Sequence, residues 1–157
     1  MPPPRVALVT GSGKKRVGSV VADALARRGY AIAVHFRTSA AEAEETAAAL
    51  RTHGVEVAAF PADLADEQAV RGMVRDVLAR FGRIDVLVNC AAVWQAKRLE
   101  DVTAADVRLH FDTNALGTFL CCQHAGLAMA RQADGGAIVN VGDWAGVRPY
   151  PNYAAYF

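Results

Sequence analysis

The chain has 157 residues, 53% hydrophobic and 21% charged, with a formal net charge of +1. This is ordinary for one globular domain with a real core. With Lys and Arg spread along the chain, it gives no electrostatic basis for binding nucleic acid or an acidic membrane. No apolar stretch approaches the roughly 18 residues needed to cross a bilayer. The opening "MPPPRVALVT" lacks the apolar run of about 7–15 residues that marks a secretory leader. The three cysteines, Cys90, Cys121 and Cys122, have neither disulfide-framework nor zinc-site spacing, so no metal and a reducing cytoplasm are expected.

"RVALVT" (5–10) is a short β-rich apolar run followed by the loop "GSGKKRVG". Val17, Val20, Val21, Ala24 and Leu25 then repeat at helical spacing and predict one buried helix face. Gly29 ends that helix and "YAIAVHF" (30–36) is a second strand. "SAAE" (39–42) has the form of a capping box and opens a helix running to about His53. "VEVAAF" (55–60) is a third strand; Asp66 caps a helix with Val70, Met73, Val74, Val77 and Leu78 on one face. After Gly82 comes the strand "IDVLVN" (84–89). Thr103 and Asp106 open one long helix to about Arg131, and "GGAIVNV" (135–141) is a fifth strand. Strands that read as continuous apolar runs are buried on both faces. Strict strand–helix alternation predicts one α/β domain over 1–157, a doubly wound parallel sheet in three α/β/α layers. Ligands of such sheets sit beyond the carboxyl ends of the strands, where strand order reverses.

Three loops carry chemistry at those ends. Gly11, Gly13 and Gly18 would let a pyrophosphate approach the backbone at a helix N-terminus, or equally form a tight strand–helix turn. Lys14, Lys15 and Arg16 oppose the helix dipole there unless an anion is bound. After the second strand no acid precedes Glu42, so the usual partner of a ribose 2′-hydroxyl is missing. Arg37, Thr38 and Ser39 stand there instead and suit a 2′-phosphate; Ser39 also reads as an N-cap and Arg37 as a surface cation.

The ordered set "TGSGKKRVG", "ADL" (62–64), "DVLVNCAA" (85–92), "NALGTF" (114–119) and "GAIVNVGDWAG" (136–146) resembles the short-chain dehydrogenase/reductase family, a Rossmann-type fold. Lys15-Arg16, "HFRTS" and Asp143 in place of the family's serine resemble its pteridine-reductase branch. The resemblance implies an NADP(H)-dependent reductase that transfers hydride to a carbonyl or pterin-like C=N bond of a small molecule. A 3-oxoacyl-thioester or general carbonyl reductase and a catalytically silent nucleotide-binding domain stand as alternatives. It implies a homo-oligomer, dimer or tetramer.

By the same resemblance Gly11, Lys15, Arg16, Val17 and Gly18 contact the cofactor, with Arg37, Thr38 and Ser39 at its 2′-phosphate. Asp63 and Leu64 would meet the adenine, and Asn89 and Ala91 the adenosine ribose and the middle of the cofactor. Asn114 would hold a relay water through its backbone, Asp143 would replace the serine, and Tyr156 would be the general acid. Outside the resemblance Asp63 reads as a turn residue, Asn114 as a polar residue within a helix, and Trp94 as a substrate-site floor or core.

Three departures from the family are visible. The glycine loop carries one extra residue, "NCAA" replaces Asn-Asn-Ala-Gly, and all three serines (Ser12, Ser19, Ser39) lie near the N-terminus. The family's Tyr-x-x-x-Lys pattern can start at Tyr153 or Tyr156; the thirteen-residue interval from Asp143, against ten, selects Tyr156. Its lysine would fall past Phe157. The expectation is a chain that stops inside the catalytic helix, lacks the last strands and is inactive alone.

Overall fold

The computed structural model describes residues 4–157, so the first three residues of the opening segment lie outside it. Five parallel strands, β1 (Val6–Thr10), β2 (Ala31–Phe36), β3 (Val57–Pro61), β4 (Val86–Asn89) and β5 (Ala137–Asn140), form one sheet in the order β3-β2-β1-β4-β5. The chain winds outward from β1 to β3, then returns to β4 on the other side of β1. The reversal therefore falls between β1 and β4, where Thr10, Asn89 and Asn140 lie level in register at the carboxyl ends.

Alternate side chains of each strand feed two apolar layers. Ala7, Val9, Ile32 and Val34 pack under α1 (Val17–Ala26) and α2 (Ala40–Arg51). Leu8, Ala33 and Leu87 pack under α3 (Glu67–Phe81) and α5 (Gly117–Met129), against Val70, Val77, Leu120 and Met129. Each fully buried Val, Leu or Ile contributes about 1.5–3 kcal/mol. The Asp66 side chain caps α3 by accepting from the Gln68 and Ala69 amides, and Gly82 closes it in the left-handed conformation at φ 78°. At the foot of the sheet Asp85 accepts from the Val6 amide at 2.8 Å and from Arg83, which ties β1 to the start of β4.

Four local expectations are corrected. The fully buried residues of α1 are Gly18, Ala22 and Ala26; of the predicted stripe Val21 and Leu25 pack partly buried against the core, whereas Val17 is 61% and Val20 69% exposed. The helix must approach β1 closely, because a Cβ at Gly18 would lie 2.6 Å from the Gly11 carbonyl oxygen. Ser39 occupies the N-cap of α2 without a side-chain capping bond, and Glu42 pairs with Lys14 at 3.1 Å instead of closing a box. The long helix is three pieces: α4 (Ala104–His110), capped by Thr103 and Asp106, then a π-helical segment Phe111–Leu116, then α5. The segment around Tyr156 is a run of turns, not a helix.

Candidate active site

The turn after β1 is held from below by its own strand and by β2. Thr10 Oγ1 accepts from the Cys90 and Ala91 amides at 3.0 and 3.1 Å, locking the loop after β4 to the end of β1. Gly11 has φ 65°, and a Cβ there would meet Ala91 Cα at 2.7 Å. The Gly11 amide donates to Nδ1 of His35 at 2.9 Å. The other ring nitrogen of His35 meets the Ala62 carbonyl at 3.1 Å, so the ring must carry its hydrogen on Nε2. Burial of this imidazole pushes its pKa below the usual 6.5.

Above these backbones lies a cleft of about 470 Å³, bounded by the glycine loop, the ends of β2 and β3, and residues 90–94. Gly11, Arg16, Val17, Gly18, Arg37, Thr38, Ser39, Asp63, Leu64 and Ala91 line it. Among the described residues Lys15, Arg16 and Arg37 form no ion pair, whereas Lys14 is taken by Glu42. Lys15 faces a neighbouring open groove of about 660 Å³ between α1 and α2, beside Asp23 and Glu45. That groove is larger but lies off the strand ends and mixes both signs of charge. Asp63 accepts from the Ala65 amide at 3.0 Å, a turn role alongside its place in the cleft wall. Gly117 meets Leu64, since a Cβ there would lie 2.8 Å from the Leu64 Cβ. Thr113, in the cleft wall and 8% exposed, has a buried hydroxyl with no partner.

The residues present fit the adenosine diphosphate half of a dinucleotide. Three glycines leave room where side chains would collide with the chain itself, and unpaired cations surround a helix N-terminus.

Asn89 lies at the carboxyl end of β4, level with Thr10 and beside the cleft-lining Cys90. Its Nδ2 donates to Asn140 Oδ1 at 2.8 Å and points at Cys122 Sγ at 3.3 Å, so it staples β4 to β5. The Cys90 thiol is pushed up by burial. Asn114 sits in the π-helical segment, a distortion frequent at functional sites. Its amide clamps the loop after β4, accepting from the Val93 amide at 2.8 Å and donating to the Val93 carbonyl at 2.9 Å. Its own carbonyl accepts from the Thr118 hydroxyl at 2.7 Å. Trp94 is not core: it is 56% exposed, lines the cleft and stacks on Tyr153 with ring centres 4.9 Å apart.

Beyond β5, Asp143 Oδ1 accepts from the Ala145 amide at 2.9 Å and starts a 3₁₀ turn, Trp144–Gly146. Its other oxygen accepts from the Tyr156 hydroxyl at 3.2 Å. Burial, then the hydrogen bond and charge of Asp143, raise the phenol above its usual value of 10. His110, 3% exposed, lies edge-on to the Tyr156 ring at 6.2 Å. The structure thus brings Asp143 and Tyr156 together and leaves Tyr153 on Trp94. Sequence reasoning missed Thr10, His35 and Thr113; for the first two the available signal was a polar side chain inside an apolar strand, and Thr113, in the π-helical segment, carried none.

A parallel sheet with its reversal beside a glycine-lined, cation-edged cleft defines a nucleotide-binding α/β domain. Residues 5–157 match the family described as short chain dehydrogenase, and the chain belongs to that family. It is 35% identical over 150 residues to the 3-oxoacyl-acyl-carrier-protein reductase FabG of Staphylococcus aureus, covering 96% of this chain and 60% of that protein. Among solved structures, a short chain dehydrogenase of Burkholderia cenocepacia in complex with NADP superposes with a TM-score of 0.89 at 32% identity, covering 97% of this chain and 61% of that one. An NAD+-bound xylitol dehydrogenase does so at 0.89 and 35% identity, covering 97% and 58%. The chain therefore spans about 60% of the length of FabG and 54% of that of an uncharacterized oxidoreductase of Methylorubrum extorquens.

Proposed function

We propose that this chain forms the cofactor site and part of the active site of an NADPH-dependent reductase, acting on a carbonyl or a pterin-like C=N bond. The observation that carries the reading is the Tyr156 hydroxyl on Asp143, at the carboxyl edge of the sheet that also holds the cation-edged cleft. NADPH is favoured over NADH by the missing acid at the end of β2 and by Arg16, Arg37 and Ser39 on the cleft wall. The bound cofactor supplies the hydride. Tyr156 supplies the proton to the developing oxygen or nitrogen anion, and Asp143 orients its hydroxyl. A phenol above pKa 10 is a poor donor near neutrality, so the reaction needs a cation beside Tyr156. The pteridine-reductase branch is favoured by Lys15-Arg16, "HFRTS" and Asp143.

A second reading, a 3-oxoacyl-thioester reductase, is favoured by the likeness to FabG. We place the protein in the cytoplasm as a homo-oligomer; Phe119 and Leu127, exposed on α5, support the second point. Initial rates of NADPH oxidation with a dihydropterin and with a 3-oxoacyl thioester separate the two substrates. For the intact protein, turnover of neither, with cofactor bound, contradicts the reductase reading.

A further inference from the structure

His35 is the point where both walls of the cleft meet. Its ring accepts from the Gly11 amide at 2.9 Å and faces the Ala62 carbonyl at 3.1 Å. Its backbone amide donates to Ser12 Oγ at 3.2 Å, and its carbonyl accepts from the Gly13 amide at 3.1 Å. Ser12 in turn donates to the Val9 carbonyl at 2.7 Å. One 3%-exposed residue of β2 therefore contacts three successive residues of the glycine loop and the residue just before Asp63 and Leu64.

We propose that His35 is a positioning residue, holding the glycine loop and the 62–64 loop at the separation the adenosine half of the cofactor needs, and that it does so only as the neutral Nε2–H tautomer. The proposal rests on the cofactor reading above. Its physical basis is donor count. A neutral ring offers one acceptor, which the Gly11 amide uses, and one donor, which the Ala62 carbonyl uses. A protonated ring has two donors, so Nδ1–H would face the Gly11 N–H and the turn would have to move.

The charged groups around the ring are few. Asp63 on the loop after β3 favours the protonated form, and the cations Lys14, Arg16 and Arg37 line the same cleft. Phe60, paired with His35 on β3, and Ala62, just after that strand, bring no charge. Burial outweighs the help from Ala62 and Asp63 and holds the ring below its usual 6.5. Between the folded and unfolded values the unfolded chain binds more protons, so stability rises with pH in that window. The stabilisation is complete above about pH 6.5 and fades as pH falls toward the folded value.

The test uses NADP+ titrations of the intact protein by calorimetry from about pH 8 down to about pH 5. Below the pKa of the ring in the folded protein, each pH unit should weaken binding about tenfold. His35→Asn keeps an acceptor near Nδ1 but cannot titrate; it should bind more weakly than wild type at the upper end, and its profile should lose this slope. Nitrogen NMR of the wild-type ring should show an unprotonated Nδ1 and a protonated Nε2. A wild-type profile no steeper than that of His35→Asn below the pH at which NMR shows the ring protonated, or a protonated Nδ1 near pH 8, would each overturn the proposal. If no dinucleotide binds at any pH the cofactor reading fails by itself, and the NMR tautomer still decides whether His35 holds Gly11 as described.

Discussion

The Tyr156 hydroxyl donates to Oδ2 of Asp143 at 3.2 Å, across thirteen residues of chain. The same carboxylate caps the 3₁₀ turn through the Ala145 amide, so Asp143 serves the local fold as well as the tyrosine. Both burial and Asp143 disfavour the phenolate. Asp143→Asn should bring the phenol back toward its ordinary value of about 10, read by NMR titration of labelled tyrosine. Asp143→Ala should cost about 0.5–2 kcal/mol through the lost cap. It should cut turnover of the intact protein by about 10²–10⁴-fold, the range for a positioned proton-transfer group. Unchanged turnover would remove Asp143 from the chemistry.

Gly18 is where α1 meets the glycine loop. A Cβ there would lie 2.6 Å from the Gly11 carbonyl oxygen and 3.1 Å from Ser12 Cα, both backbone atoms that cannot swing aside. Gly18→Ala should destabilise the fold by about 1–3 kcal/mol, as overpacking does, measured by urea unfolding. It should also weaken dinucleotide binding by displacing the turn. A variant as stable as wild type would show that the close approach of α1 is not needed.

β5 lies at the sheet edge with every residue exposed, and Ile138, Val139 and Val141 are 39%, 49% and 52% accessible. An apolar, unpaired edge is a template for association. A chain of these 157 residues alone should therefore self-associate, as light scattering would record. It should also show no reductase turnover. A monodisperse monomer with turnover would contradict both expectations.

Several of these relationships were legible in the sequence and several were not. α3 was readable because Asp66, its apolar stripe and Gly82 are independent signals that agree. The choice of Tyr156 beside Asp143 came from the family resemblance, whose serine-to-tyrosine interval Asp143 and Tyr156 match. The buried stripe of α1 was hidden because Gly18, Ala22 and Ala26 are small, and close approach selects small residues without an apolar signature. The π-helical turn at Asn114 is a change in hydrogen-bond register, which composition does not mark. The Ser39–Glu42 box failed because Lys14, distant in sequence, competes for the glutamate. Asn89 and His35 each read as one polar residue in a strand, yet one staples two strands and the other braces a loop.

Cofactor preference decides whether Arg16 and Arg37 edge an NADPH site. The intact protein should bind NADPH more tightly than NADH in fluorescence titrations. Arg37→Ala should remove about 1.5–3 kcal/mol of NADPH binding, the value of hydrogen bonds to a charged group, and leave NADH binding unchanged. Equal or tighter binding of NADH by the wild type would contradict the account.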